Sequence, residues 1–255
     1  MDEKMAVGKA SYLSVTKSAT YGFLASLPLF VLYESLILFV NGDRISQIRV
    51  GADIWVKQIL ALVGAKGMIS LGIAVVVVGI IIFVVERKKR IPIKPSYLVW
   101  MIGESALYAV FVAFLVSSLV GLIFSSALSL YVPGVIQDSA SGQPGGFMML
   151  VLSIGAGLYE ELIFRVLMVG SFFWVLNKWL GKRTLAYIIA ATIGAFIFST
   201  VHYLGPLGDP FTLSSFTFRF VFGLALNVIF LLRGFGVAAW THALYDVLVV
   251  SHLLG

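Results

Sequence analysis

LYEELIFR, at residues 158–165, places two carboxylates and a guanidinium inside an apolar segment that runs over residues 147–176. Ionisable groups inside a membrane cost several kcal/mol unless they are paired or face a cavity, so such a cluster indicates a functional site. Glu161 and Arg165 are four residues apart on one helix face, where they can form an ion pair. Glu160 points about 100° away from that face. We therefore expect Glu160 to be the carboxylate that is available for chemistry.

Composition assigns the chain to the membrane proteins. Of its 255 residues, 60% are hydrophobic and 12% are charged, and its mean hydropathy is +1.03, outside the range of ordinary soluble domains. A net charge of +6 would suggest a nucleic-acid partner in a soluble protein, but here the Lys and Arg residues occupy short loops between apolar runs. The expected partner is therefore the lipid bilayer and not nucleic acid. The chain has no cysteine, which excludes disulfides, thiolate metal sites and a cysteine nucleophile.

The apolar runs predict an all-α transmembrane bundle that forms one integral-membrane domain over residues 1–255. The seven expected spans are residues 21–40, 68–85, 97–130, 147–176, 184–203, 214–232 and the segment from Phe235 onward. Residues 45–65 carry apolar side chains at helical spacing beside charged ones, which is typical of an amphipathic helix in the membrane interface. Residues 131–146 are rich in Gly and Pro and contain no Lys or Arg, which indicates a non-cytoplasmic loop.

The distribution of basic residues predicts the orientation. Of the 18 Lys and Arg residues, 2 lie inside the expected spans, 12 in segments on the side of the amino terminus and 4 on the opposite side. Basic loops stay in the cytoplasm, so we expect a cytoplasmic amino terminus. The expected location is the plasma membrane of a prokaryote, which the chain crosses several times.

Ionisable groups on four spans can converge on one place. They are Glu160 with Glu161 and Arg165, then His202, then Arg219, and then His242 with Asp246. A carboxylate opposed by two histidines in a dry pocket can take a proton from water, orient the water and stabilise an oxyanion, which is the chemistry of peptide hydrolysis. Other intramembrane protease classes fit poorly, because the chain has no HExxH motif, no Gly-x-Ser-x-Gly element and no second membrane aspartate for a dyad.

Three motifs follow one another on successive hydrophobic segments. They are Glu160-Glu161-x-x-x-Arg165, Phe198-x-x-x-His202 and His242-x-x-x-Asp246. Together they closely resemble the CPBP family, the CAAX protease and bacteriocin-processing or ABI family, which includes the Rce1-type prenyl-protein endopeptidases. The resemblance covers about residues 146–255, which are the expected catalytic core.

The resemblance implies an intramembrane glutamic endopeptidase that needs no cofactor or metal and cleaves a hydrophobic or lipid-modified, CAAX-like peptide. It implies that Glu160 is the general base that activates water with His202, and that His242 and Asp246 form the oxyanion hole. Eukaryotic prenyl proteases have Asn at the position of Asp246, and an ionised Asp cannot donate a hydrogen bond. Asp246 must therefore be protonated, or it must orient His242 instead. The expected supporting residues are Glu161, Arg165, Phe198 and Arg219.

A purely structural interpretation of the charged residues is also open. Glu160, Glu161, Arg165 and Arg219 can form a buried ion network that holds helices together. Arg219 in particular is expected to act as a counter-ion. Glu34, inside the first span, is expected to pair with a buried arginine.

Two functional alternatives stay open as well. Intramembrane carboxylates serve proton-coupled carriers, and the same family includes bacteriocin-immunity proteins, so Glu34, Glu104, Glu160 and Asp246 can be read as a proton relay in a protein that is not an enzyme. The four catalytic candidates are also acceptable zinc ligands, which would make the protein a zinc-dependent protease.

The spacing of the two histidines poses a geometric question. At about 1.5 Å per residue, His202 lies roughly 27 Å along its helix from Thr184, whereas His242 lies about 10 Å from Phe235. Both helices are expected to start on the same side of the membrane. For the histidines to meet, the first helix must begin well outside the bilayer, or the last helix must be displaced inward.

Overall fold

The computed structural model describes residues 11–41, 49–64, 67–124, 145–205 and 208–251. Every regular element in these ranges is helical, which confirms the all-α prediction. The α-helices are α1 Tyr12–Thr16, α2 Ala19–Asn41, α3 Gly51–Leu62, α4 Gly67–Glu86, α5 Pro95–Phe124, α6 Gly146–Glu161, α7 Gly170–Leu180, α8 Arg183–Val201, α9 Leu213–Arg233 and α10 Phe235–Val250. A 3₁₀ turn, Arg87–Lys89, follows α4, and a π-helical segment, Leu162–Val169, joins α6 to α7.

Within these ranges, six helical segments are long and apolar enough to cross a membrane. They are Ala19–Val40, Ile69–Lys89, Pro95–Phe124, Gly146–Leu180, Arg183–Val201 and Leu213–Arg233. α10 is also apolar but has only 16 residues. These seven helices correspond to the seven predicted spans, so the chain is a multi-pass integral membrane protein. α3 stands where the amphipathic helix was predicted, and the predicted loop over 131–146 lies almost entirely outside the described residues.

The helix that carries Glu160 lies at the centre of the bundle. The fraction of buried residues was compared over the most apolar 18-residue stretch of each span. It is 61% for Gly146–Leu180 and 11% for Ile69–Lys89. α6 packs against α2 on one side and α10 on the other, and a glycine stands at each contact. A Cβ at Gly155 would overlap the ring of Tyr33, and a Cβ at Gly157 would lie 2.5 Å from the backbone nitrogen of Ala243. Larger residues at these positions would push Glu160 away from the helices that face it.

α10 begins deep in the bundle. The hydroxyl of Ser105 donates to the carbonyl oxygen of Val237 at 3.2 Å, which places the third residue of α10 beside the eleventh residue of α5. At about 1.5 Å per residue, α10 therefore starts roughly 12 Å further into the bundle than α5 does. This inward displacement of the last helix makes up about 12 Å of the roughly 17 Å by which the depths of the two histidines differ.

Polar contacts stabilise the amino-terminal end of α10, which lies inside the bundle. Gly234, with φ 83°, forms the turn between α9 and α10, and a Cβ there would lie 3.0 Å from the carbonyl oxygen of Lys17. Arg233 binds the carboxylate of Glu104 on α5, and its guanidinium also donates to the Leu13 carbonyl at 3.1 Å and the Thr16 hydroxyl at 3.0 Å. Helix α1 thus covers the turn, so the buried guanidinium is fully partnered.

Candidate active site

A cavity of about 390 Å³ brings most of the predicted residues together. The predicted residues that line it are Glu160, Phe198, His202, Arg219, His242 and Asp246. Glu161 and Arg165 do not line it, and both are almost fully buried, with relative exposures of 0% and 1%. The helix rotation expected from the sequence is therefore what the structure has: Glu160 faces the cavity and Glu161 faces the protein interior.

Glu160 faces the two histidines. Its Oε2 lies 4.0 Å from Nε2 of His202 and 3.9 Å from Nε2 of His242. These distances are too long for direct hydrogen bonds. Within the described residues this buried oxygen has no hydrogen-bond partner, although a buried carboxylate oxygen normally has one. Glu160 therefore faces both histidines without a direct hydrogen bond to either.

His202 is held by the end of its own helix. Its Nδ1 lies 2.7 Å from the carbonyl oxygen of Phe198, one turn earlier, and its carbonyl oxygen accepts from the Asp209 N–H at 2.9 Å. A carbonyl oxygen only accepts, so Nδ1 must carry the hydrogen. In the neutral ring Nε2 is then an acceptor, and it points toward Glu160.

His242 is held by Glu161, a contact that the sequence did not predict. Nδ1 of His242 lies 2.7 Å from Oε1 of Glu161, and the same oxygen lies 2.9 Å from Nη1 of Arg165. The expected pair of Glu161 and Arg165 is therefore present, but its carboxylate also binds the histidine. Asp246, expected either to donate or to orient His242, lies 3.5 Å from Nε2 on the cavity side of the ring.

The π-helical segment carries Arg165, which contacts Phe198 and Glu161. Its wider turns add a residue to the helical repeat, and such segments occur often at functional sites. The guanidinium lies 4.6 Å from the ring centre of Phe198 and donates to the carbonyl oxygen of Gly223 at 3.4 Å. Phe198 in turn packs edge-on against the rings of His202 and His242, at centroid distances of 4.9 and 6.0 Å. Arg165 therefore supports both histidines, one through Phe198 and one through Glu161.

Arg219 binds the loop between α8 and α9. It pairs with Asp209, and Nη1 donates to the hydroxyls of Tyr203 at 2.7 Å and Ser215 at 2.5 Å. The expected counter-ion role thus has a specific partner, because Arg219 pairs with a loop aspartate and not with Glu160 or Asp246. These contacts hold Tyr203 and Asp209, which follow His202 in the chain, against α9.

The amino-terminal part supplies a cavity wall that the sequence analysis missed. Arg49, Val50 and Gly51, at the start of α3, line the cavity together with Glu160. Burial acts to lower the pKa of Arg49, but the carboxylates of Asp53 and Glu34 raise it above its ordinary value, so the residue stays charged. No motif spacing could have found this wall, because Arg49 and Glu160 are far apart in sequence.

The acids of the suggested proton relay fall into separate groups. Glu34 binds Lys57 at 2.9 Å and Arg49 at 3.5 Å, in line with the expected partner for this acid, and Glu104 binds Arg233. Glu160 and Asp246 line the cavity, whereas Glu34 and Glu104 do not. The four carboxylates therefore do not form one continuous path for a proton.

A metal would have to use the cavity side chains. In the part of the chain that the structure describes, no three His, Asp or Glu side chains are grouped closely enough to hold a metal ion. The shortest distances between the four candidate ligands are 3.5–4.0 Å. The prediction that no cofactor is needed stays a prediction, which chelation can test.

Comparison with known proteins supports the family resemblance. Residues 143–248 match the family model described as Type II CAAX prenyl endopeptidase Rce1-like. The chain matches no curated protein and no solved structure. The matched residues include Glu160, His202, His242 and Asp246, but not the wall formed at Arg49. The resemblance to the Rce1-like CAAX protease family is thus confirmed over residues 143–248, the part of this membrane protein that carries all three motifs.

Proposed function

We propose that the chain is an intramembrane glutamic endopeptidase that cleaves a hydrophobic or lipid-modified, CAAX-like peptide in a prokaryotic plasma membrane. The observation that carries the proposal is the position of Glu160, with one carboxylate oxygen about 4 Å from the Nε2 atoms of His202 and His242. The family match supports the peptidase class and, by its description, a CAAX-type substrate.

Glu160 and His202 are suited to activate water. The ionised carboxylate accepts hydrogen bonds, and so does Nε2 of His202, because the hydrogen of that ring is on Nδ1. A water molecule between these two acceptors donates one hydrogen to each. Glu160 removes a proton while the water oxygen bonds to the scissile carbonyl carbon, and His202 keeps the other O–H in line.

His242 and Asp246 are suited to stabilise the oxyanion that forms at the carbonyl oxygen. A hydrogen on Nε2, in addition to that on Nδ1, makes His242 a cation, with Glu161 as its counter-ion. The donor role requires the protonated form of Asp246, whose O–H lies on the same side of the ring, 3.5 Å from Nε2, so that a single oxygen can accept from both groups. Two carboxylates, Glu160 and Glu161, then balance two cations, Arg165 and His242.

The tetrahedral intermediate collapses when the C–N bond breaks. The proton that Glu160 took from water passes to the leaving amine, which restores the carboxylate. The products are a new carboxyl terminus and a free amine, and no redox partner is needed.

The cavity wall favours an apolar substrate. Met149, Leu152 and Ala156 on one face of α6 line the cavity together with Val249 and Val250 of α10. A site with apolar walls and a few converging polar groups is the usual form of a pocket for a mostly apolar ligand.

The experiment uses the purified chain in liposomes and a peptide with a fluorophore and a quencher on either side of a farnesylated Cys-aliphatic-aliphatic-X end, compared with the same peptide without the lipid. We expect cleavage by the wild type and a loss of kcat of about 10³-fold in Glu160→Gln, with Tm nearly unchanged. Glu86→Gln changes a buried carboxylate at the end of α4, outside the cavity, and should keep full kcat. A fully active Glu160→Gln protein would refute the mechanism.

A further inference from the structure

A second group of charges, buried or half-buried, lies against α6 and includes Arg49 from the cavity wall. This amino-terminal polar cluster consists of Tyr33, Glu34, Arg49, Asp53, Lys57 and Tyr159. It joins α2 and the start of α3 to α6, and the proposed reaction does not use it. Two carboxylates face two cations, so its formal charges balance.

The cluster is tightly connected. Lys57 binds Asp53 at 2.5 Å and Glu34 at 2.9 Å, and Arg49 binds Asp53 at 2.9 Å. Two tyrosine hydroxyls complete it. Tyr33 donates to Asp53 at 3.0 Å, and Tyr159 donates to Glu34 at 2.5 Å. Both tyrosines are buried, and their rings pack edge to face at a centroid distance of 5.5 Å.

The two tyrosines differ in the helix that carries them. Tyr33 is part of α2 and links that helix to α3. Tyr159 is part of α6 and directly precedes Glu160. The contact at Gly155 between α6 and α2 is van der Waals packing. The hydrogen bond from Tyr159 to Glu34 adds a directional contact, which holds α6 against rotation on this side.

The position of Glu160 is sensitive to this rotation. A helix with its side chains has a radius of about 5–6 Å. A rotation of the helix by about 10° around its own axis therefore moves a carboxylate on its surface by about 1 Å. A misplacement of about 1 Å in a catalytic group can lower the rate roughly 10²-fold. A small rotation would therefore be enough to move Glu160 out of line with His202 and His242.

We infer that Tyr159 is a positioning residue for Glu160: its hydroxyl bond to Glu34 fixes the rotation of α6 and thereby aims the carboxylate at both histidines. The inference rests on the proposed function for its kinetic readout. It assigns the amino-terminal helices, which lie outside the family match, a part in the reaction.

The test compares Tyr159→Phe with Tyr33→Phe. Each variant loses one buried hydroxyl from the same cluster and keeps its ring. The Tyr33 hydroxyl also accepts from the Val50 N–H at 3.3 Å, so Tyr33→Phe should lower Tm at least as much as Tyr159→Phe. We expect kcat to fall about tenfold or more in Tyr159→Phe, with KM within about twofold of the wild type. In Tyr33→Phe, kcat should stay within about twofold of the wild type.

A chemical readout makes the test independent of cleavage. A hydrophobic carbodiimide adds to membrane carboxyl groups, and mass spectrometry gives the rate of addition at Glu160. This rate should change at least about threefold in Tyr159→Phe and stay unchanged in Tyr33→Phe. An unchanged rate in Tyr159→Phe, or equal changes in both variants, would overturn the positioning role. If the wild type cleaves no peptide but the labelling difference appears, the proposed function fails and the positioning role stands.

Discussion

Glu161→Gln removes the negative charge that Arg165 and His242 share, while it keeps the side-chain size and an acceptor oxygen. One carboxylate oxygen lies 2.9 Å from Arg165 and 2.7 Å from His242, and all three side chains are at most 3% exposed. Removing one partner of a buried ion pair costs about 3–5 kcal/mol. In a chain of about this length, 1 kcal/mol corresponds to about 2–4 °C, so Tm should fall by roughly 10 °C.

The same substitution should also lower the rate. Without the carboxylate, His242 loses the counter-ion of its cationic form and donates less effectively to the oxyanion. Loss of one such donor typically lowers kcat about 10²–10³-fold. Stability and activity should therefore both decrease, and a second substitution is needed to separate the two effects.

Arg165→Met in the Glu161→Gln background makes that separation. The double variant removes both charges of the Glu161–Arg165 pair, and replacing a buried ion pair with neutral side chains is often close to neutral in stability. We expect Tm to recover most of the loss, as measured by thermal unfolding in detergent. The cleavage assay should still show kcat at least about 10²-fold below the wild type, because His242 still lacks its carboxylate. Recovery of kcat together with Tm would show that Glu161 only holds Arg165, and would refute the argument.

The role of Asp246 and the need for a metal give two further predictions. Asp246→Asn should keep kcat within about threefold, because Glu161 already orients His242 and an amide supplies the N–H donor, whereas Asp246→Ala should lose at least about tenfold. A folded but inactive Asn variant would show that the negative charge is required. Dialysis against a zinc chelator should leave cleavage intact, and metal analysis should find less than stoichiometric zinc. Loss of activity that one equivalent of zinc restores would assign the protein to the metalloproteases.

Most of the features predicted from the sequence depend on short separations along the chain. Seven apolar helices follow from run length, because a bilayer requires about 20 apolar residues in each span. The pairing of Glu161 with Arg165 and the different direction of Glu160 follow from helical periodicity. The grouping of Glu160 with His202 and His242 followed from the ordered motifs and their resemblance to a known family.

The features that were not predicted depend on packing between distant segments. The bond from His242 to Glu161 joins residues 81 positions apart, and no spacing within one helix indicates it. The depth of α10 depends on the contact of Ser105 with Val237, which the apolar pattern does not encode. The wall at Arg49 was missed for a similar reason, because an amphipathic segment was expected to lie in the interface and not against the catalytic helix.

The anchoring of Arg233 bears on whether the matched region is a transferable module. Residues 143–248 carry the three motifs, but the guanidinium at the start of α10 depends on Glu104, Thr16 and Leu13, all of which lie earlier in the chain. A chimaera that joined this region to foreign helices would leave a buried cation without its carboxylate unless the new helices supplied one at the same depth. Exchange of residues 143–248 between proteins of this kind therefore depends on an ion pair about 12 Å inside the bundle, far from the residues that would carry out the cleavage.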